Sequence, residues 1–177
     1  PYNLIRQLSA NGHEVTLFTI WADERERTDV EALRPHVHAI RSIHLPRWRS
    51  LANSLAAVPG RAPLQASYGW DGALLSGLST GPAPDIIHVE HLRGARYALT
   101  LKAWRDKLKA YVPLVWDSVD CISLLFEQAA GQSQKLTSRL MTRFELGRTR
   151  RYEAWLADQF DRVLVTSPKD QAAFRAL

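Results

Sequence analysis

From Asp85 onward short apolar runs alternate with helical stretches, and this alternation constrains the fold more than any other feature of the chain. Ile86-Ile-His-Val89 reads as a buried strand and Gly94 to Leu108 as a helix. Val112-Pro-Leu-Val-Trp116 reads as the next strand, followed by helix from about Ile122 to Asp158 with an interruption near Gly131. Asp161-Arg-Val-Leu-Val-Thr166 is a further strand, and Pro168 suits the first turn of a last helix. Short strands that are apolar throughout and separated by helices call for a parallel sheet covered on both faces. The expected class is therefore α/β, a doubly wound, Rossmann-like parallel sheet. A length of 177 residues suits one compact domain of this kind.

The N-terminal part follows the same rhythm. Tyr2, Leu4, Ile5 and Leu8 recur at helical spacing, and Asn11-Gly12 supplies a helix stop. Glu14 to Ile20 is β-branched and aromatic and reads as a strand, as does Val37 to Leu45 ahead of Pro46. Trp48, Leu51, Ala52 and Leu55 mark one helical face that stops at Pro59-Gly60. Another helix is expected from Leu64 to Leu78, before Gly81-Pro-Ala-Pro84.

Charge and cysteine content narrow the function classes. The net charge is +5, and the stretch Lys135 to Arg151 accounts for all of it, with six basic residues and one acid, Glu145. Ala32 to Trp70 contains no acid but holds Arg34, Arg41, Arg47, Arg49 and Arg61. Such runs suit a solvated face, nucleic acid, an anionic membrane surface or a phosphate-bearing substrate. The single cysteine, Cys121, makes neither an internal disulfide nor a Cys-rich zinc site, which points to a reduced, intracellular setting. No apolar run approaches the ~18 residues of a membrane span, and no segment reads as a signal peptide. The chain opens on Pro1, inside a helical pattern, so it reads as a piece of a longer protein.

In open parallel sheets ligands bind outside the carboxyl ends of the strands. Here those ends are Trp21-Ala-Asp23, Glu90-His91-Leu-Arg93, Asp117-Ser118 and Ser167. Polar residues thus gather at strand exits, beside helix starts that favour anions.

Four patches, in order, carry a family resemblance. Asn3-Leu-Ile-Arg-Gln-Leu-Ser-Ala-Asn-Gly-His-Glu-Val-Thr-Leu17 resembles the "LAxxGHEVTL" opening of nucleotide-sugar glycosyltransferases of the two-domain GT-B architecture. Pro84-Asp-Ile-Ile-His-Val-Glu90 is similar to their "PDVVHxH" strand, and Pro113-Leu-Val-Trp-Asp117 to the strand that follows it. Asp161 to Pro168 resembles the "ADxVxxxS" strand that ends the domain. The resemblance implies one half of a GT-B enzyme, the acceptor-side, N-terminal domain of a family 4-like (GT4) glycosyltransferase over 1–177. The family's first strand and glycine-rich loop would precede Pro1, and its donor-binding C-terminal domain lies outside this chain. The intact enzyme is expected to move a hexose from a UDP- or GDP-sugar to a sugar or lipid-linked acceptor, with retention, in polysaccharide or glycolipid synthesis. Cytoplasmic location, peripheral on the inner membrane face, is part of that expectation. This fragment alone is expected to bind no cofactor and to be inactive.

Glycosyl transfer needs positive charge for the departing diphosphate and a group to take the acceptor proton. Glu90 and His91 are the expected catalytic pair; by the resemblance Glu90 falls where the family often has His or Asp. Arg93, Asp117, Asp120 and Ser167 are expected to bind the acceptor. Each has a structural alternative: Arg93 pairing with an acid, Asp117 or Asp120 capping the next helix, and Ser167 capping the last one. His88 reads as a core histidine, and His88, Glu90 and His91 lack an evident third metal ligand, so no metal is expected. Cys121 reads as a small core residue. Arg47, Trp48 and Arg49 are expected to face a membrane, with packing of Trp48 and Leu51 on the sheet as the alternative.

Other classes fare less well. Gly77-Leu-Ser-Thr-Gly81 matches a nucleophile elbow in letters but lacks the strand before and helix after it. There is no G-x-G-x-x-G and no Walker A sequence. A basic nucleic-acid-binding domain and a non-catalytic binding domain of the same fold remain as alternatives. The first lacks an interleaved basic and aromatic signature.

Overall fold

A computed structural model of the protein describes residues 2–76, 83–107, 111–132 and 136–177. The chain forms two compact units, Pro1–Leu51 with Asp71–Gly81, and Ala52–Trp70 with Pro82–Leu177.

The first unit begins with α1 (Tyr2–Ala10), which buries Ile5 and ends beside Gly12 at φ +84°, a conformation glycine adopts freely. β1 (Thr16–Trp21) pairs in parallel with β2 (Ala39–His44), from Thr16↔Ala39 to Trp21↔His44. Between them lies α2 (Glu24–Glu31), which was not expected. Its start is a reciprocal cap: Asp23 accepts from the Glu26 N–H (3.1 Å), and Glu26 accepts from the Ala22 N–H (2.6 Å). Val30, Leu45 and Leu74 are buried in this unit. α3 (Arg47–Ala56) runs on from it.

The second unit contains α4 (Leu64–Tyr68), β3 (Ile87–Glu90), α5 (Ala95–Arg105), β4 (Leu114–Val119), α6 (Ile122–Gln132), α7 (Leu136–Ala157), β5 (Arg162–Val165) and α8 (Pro168–Arg175). β3, β4 and β5 form a three-stranded parallel sheet in that order. One buried cluster joins Ala66, Leu92, Ala95, Trp116 and Leu156, and another Ile87, Val89, Ala98, Val112 and Leu114. Residues from α4, α5, β4 and α7 thus meet in the first cluster, and residues from β3, α5 and β4 in the second.

The class is α/β with parallel strands, consistent with a Rossmann-like domain. Among the described residues β1 and β2 pair within the first unit, and β3, β4 and β5 within the second. An apolar run marks a strand but not the strand beside it, so pairing was not readable. The helix expected from Leu64 to Leu78 is corrected. α4 ends at Tyr68, and a separate 3-10 turn covers Gly72–Leu75. Asp71 opens that turn by accepting the Ala73 N–H (3.0 Å). The Gly77–Gly81 motif lies outside the described residues. Among the described residues no helix is long and apolar enough to cross a membrane.

Candidate active site at the carboxyl edge of the sheet

β3 is buried on one face only. Ile87 and Val89 are buried, whereas His88 is exposed and Glu90 half-buried. Alternation along the strand therefore sets His88 and Glu90 side by side on the open face. His88 is not the core histidine that the apolar run suggested.

Across the ladder Glu90 is the register partner of Asp117, and Asp117 is opposite Leu164 in β5. Asp117 does not end its strand, because β4 continues to Val119 through a bulge. Val119 sits at φ +64°, costly for a β-branched residue. It is held there on two sides. Its N–H donates to Asp117 Oδ1 (3.1 Å), and its carbonyl accepts from the Thr166 N–H (2.9 Å) and hydroxyl (3.0 Å). The bulge thereby fixes one oxygen of Asp117 and leaves Oδ2 at 3.6 Å from His88 Nε2.

The donor atoms of His88, Glu90 and Asp117 all lie within 4.8 Å of one another. One imidazole and two carboxylates make a donor set able to hold a divalent cation. The third member of that set, which no sequence spacing revealed, is Asp117 from the neighbouring strand. His91 stands apart from this trio. Its backbone is at φ 58° and ψ 162°, outside the strand, and its N–H donates to Asp117 O (2.7 Å). Its side chain is exposed.

The remaining expected residues divide. Arg93 is in no ion pair among the described residues; its guanidinium lies over the Tyr68 ring at 5.0 Å. Ser167 caps α8 by accepting the Asp170 N–H (3.1 Å), and its hydroxyl donates to Asp170 Oδ2. Asp170 in turn accepts the Cys121 N–H (2.9 Å). Neither Asp117 nor Asp120 caps α6. That role belongs to Glu153 of α7, which accepts from the N–H groups of Ile122 (2.8 Å) and Ser123 (3.0 Å). Asp120 sits half-buried in the turn after the bulge, its N–H donating to Ser118 O (2.7 Å). Cys121 is fully buried, and burial raises its thiol above the ordinary value, so it is no ready nucleophile.

Arg47 and Arg49, on α3, are not free charges. Arg47 pairs with Asp23 (2.9 Å) and Arg49 with Asp71 (3.0 Å). Trp48 and Leu51 do not pack on the sheet as the alternative reading had it; they are 70% and 58% exposed. A cleft of about 500 Å³ between α6, α7 and α8 includes Ser123, Glu127, Arg150 and Leu177, but none of the expected site residues lines it.

His88, Glu90 and Asp117 thus share the open face of this sheet, and His91 follows next in the chain. No curated protein and no solved structure matches the chain. The family model for the "Glycosyl transferase 4-like domain" matches residues 2–177, essentially the whole length, and the chain therefore belongs to that glycosyltransferase family.

Proposed function

We propose that this domain holds the acceptor of a retaining, nucleotide-sugar-dependent hexosyltransferase in polysaccharide or glycolipid synthesis. The donor, a UDP- or GDP-sugar, is held chiefly by a C-terminal domain outside this chain. The observation that carries the reading is the juxtaposition of Glu90, at the end of β3, with its register partner Asp117, just before the bulge of β4; His91 is next in the chain. Glu90 or His91 takes the proton of the acceptor hydroxyl as its oxygen bonds to the anomeric carbon and the bond to the nucleoside diphosphate breaks. Asp117 orients the acceptor, and Arg93 supplies positive charge nearby. Asp120 and Ser167 serve the turn and the helix start that frame the site.

The same reading puts the domain on the cytoplasmic membrane face. Trp48, Leu51 and Leu55 of α3 are all exposed, an apolar stripe suited to a lipid surface.

The test is transfer by the intact protein. Glu90→Gln or His91→Ala should lower kcat by about 10²–10⁴-fold while the melting temperature holds. Full activity in both variants would overturn the assignment. The 177-residue chain alone should transfer nothing.

A further inference from the structure

Immediately after Glu90 and His91 the chain builds a second arrangement. Arg93 Cζ lies 5.0 Å from the centre of the Tyr68 ring, and Arg96 Cζ lies 4.3 Å from that of Trp70. Tyr68 is half-buried, and Trp70 is held by its neighbours. Trp70 packs against Tyr97 at 4.8 Å, the Tyr97 hydroxyl donates to Gly69 O (2.8 Å), and Asn53 Nδ2 donates to Trp70 O (2.8 Å). The arginines are anchored as firmly. Leu92 and Ala95 are buried against Ala66, and a Cβ on Gly94 would stand 2.6 Å from Val89 Cγ1. Only glycine allows the start of α5 to sit this close to β3.

A guanidinium stacked on a ring has one face covered while its edge keeps five N–H donors in a fixed fork. Arg105, Arg148 and Arg150 of the same unit each hold a carboxylate. Arg93 and Arg96 hold none among the described residues, and their places on the rings are fixed without one. Two preorganised forks three residues apart suit an anion that carries more than one charge and several oxygens. Phosphate fits better than a lone carboxylate.

We infer that Arg93 and Arg96, held on Tyr68 and Trp70, bind the phosphate of a phosphorylated acceptor. The word acceptor rests on the sugar-transfer reading; phosphate binding itself is measured with no donor present.

The experiment is calorimetric titration of the intact protein with a short-chain alkyl phosphate, with inorganic pyrophosphate and with UDP. The alkyl phosphate should bind, and Arg93→Gln with Arg96→Gln should weaken it roughly tenfold or more. Arg96→Lys keeps the charge but loses the fork and should also weaken binding. Trp70→Leu removes no charge and should do the same if it folds. Arg162→Gln, the loss of one charge on an exposed strand residue, should change nothing. Three results would overturn the proposal: no binding of the alkyl phosphate, equal weakening by Arg162→Gln, or no effect of the double substitution. Weakening of UDP or pyrophosphate alone would assign the forks to the donor and sink the acceptor phosphate. Phosphate binding that behaves as expected, in a protein that transfers no sugar, would sink the transfer reading instead.

Discussion

Asp161 and Glu153 both accept hydrogen bonds from backbone N–H groups, yet they respond to pH with opposite sign. The Leu114 N–H (2.7 Å) does most to hold the Asp161 carboxyl below its usual range, with help from Tyr111 and from Arg105 (2.8 Å). A depressed carboxylate stabilises the fold above its unfolded value, and that contribution fades as pH falls through the folded one. Burial pushes Glu153 up, and the Ser123 and Ile122 groups only partly offset it. The folded state then binds this proton more tightly than the unfolded chain, so stability declines as pH climbs from the ordinary glutamate value through the raised one. Thermal melts across pH should therefore show two separable effects. Asp161→Asn should flatten the acid limb, and Glu153→Gln should remove a decline that sets in above the ordinary glutamate value. A Glu153→Gln curve parallel to the parent would mean that burial does not govern this carboxyl. At this scale the position of Glu90 at the end of β3 was legible because a polar residue closes an apolar run there, whereas Asp117 looked like a strand end and is not one. His88 was not legible, since an apolar run does not say which face stays open. Glu153 caps a helix from about thirty residues away, and no local pattern announces that.

Among the elements, the five strands were legible in kind, with ends displaced by a few residues. β4 shows why: it runs to Val119 because a bulge carries the ladder past Asp117. α2 was missed although Asp23-Glu-Arg-Glu26 has the letters of a capping box, because its remaining residues are too polar to show a periodic apolar face. α3 shows the converse case, in which the pattern was right and its environment unreadable. Its stripe, Trp48, Leu51 and Leu55, is 70%, 58% and 71% exposed, whereas its arginines are tied to Asp23 and Asp71. If α3 meets a bilayer, apolar insertion must then contribute more than the arginines do. Co-sedimentation of the intact protein with phosphatidylglycerol vesicles separates the two. Trp48→Ser with Leu55→Ser should abolish most of the bound fraction at low and high salt without lowering the melting temperature. Arg47→Glu with Arg49→Glu should reduce it only at low salt. Unchanged sedimentation in the Trp48 and Leu55 double variant would remove α3 from membrane binding.

For the molecule as a whole, the decisive quantity is how the basic excess is used. Read as a string, Lys135 to Arg151 is a cationic block and Ala32 to Trp70 an acid-free one. Among the described residues folding engages part of each. Arg148 is buried, donating to the carbonyls of Ala57 (2.8 Å), Val58 (3.3 Å), Gly60 (3.0 Å) and Ala62, and Arg150 pairs with Glu127 (2.8 Å). From the acid-free stretch Arg34, Arg47 and Arg49 all take acids that lie outside it, Glu31 (2.8 Å), Asp23 and Asp71. Charges held in pairs and on carbonyls are not free for a phosphate backbone, which needs a run of them. The intact protein should therefore bind a short DNA duplex no more tightly than a non-specific Kd of about 10⁻⁴–10⁻⁶ M at physiological salt, and equally for unrelated sequences. Fluorescence anisotropy measures this directly. Nanomolar binding that prefers one sequence would show that the unpaired arginines still form a tract, and would restore nucleic acid as the partner of this surface.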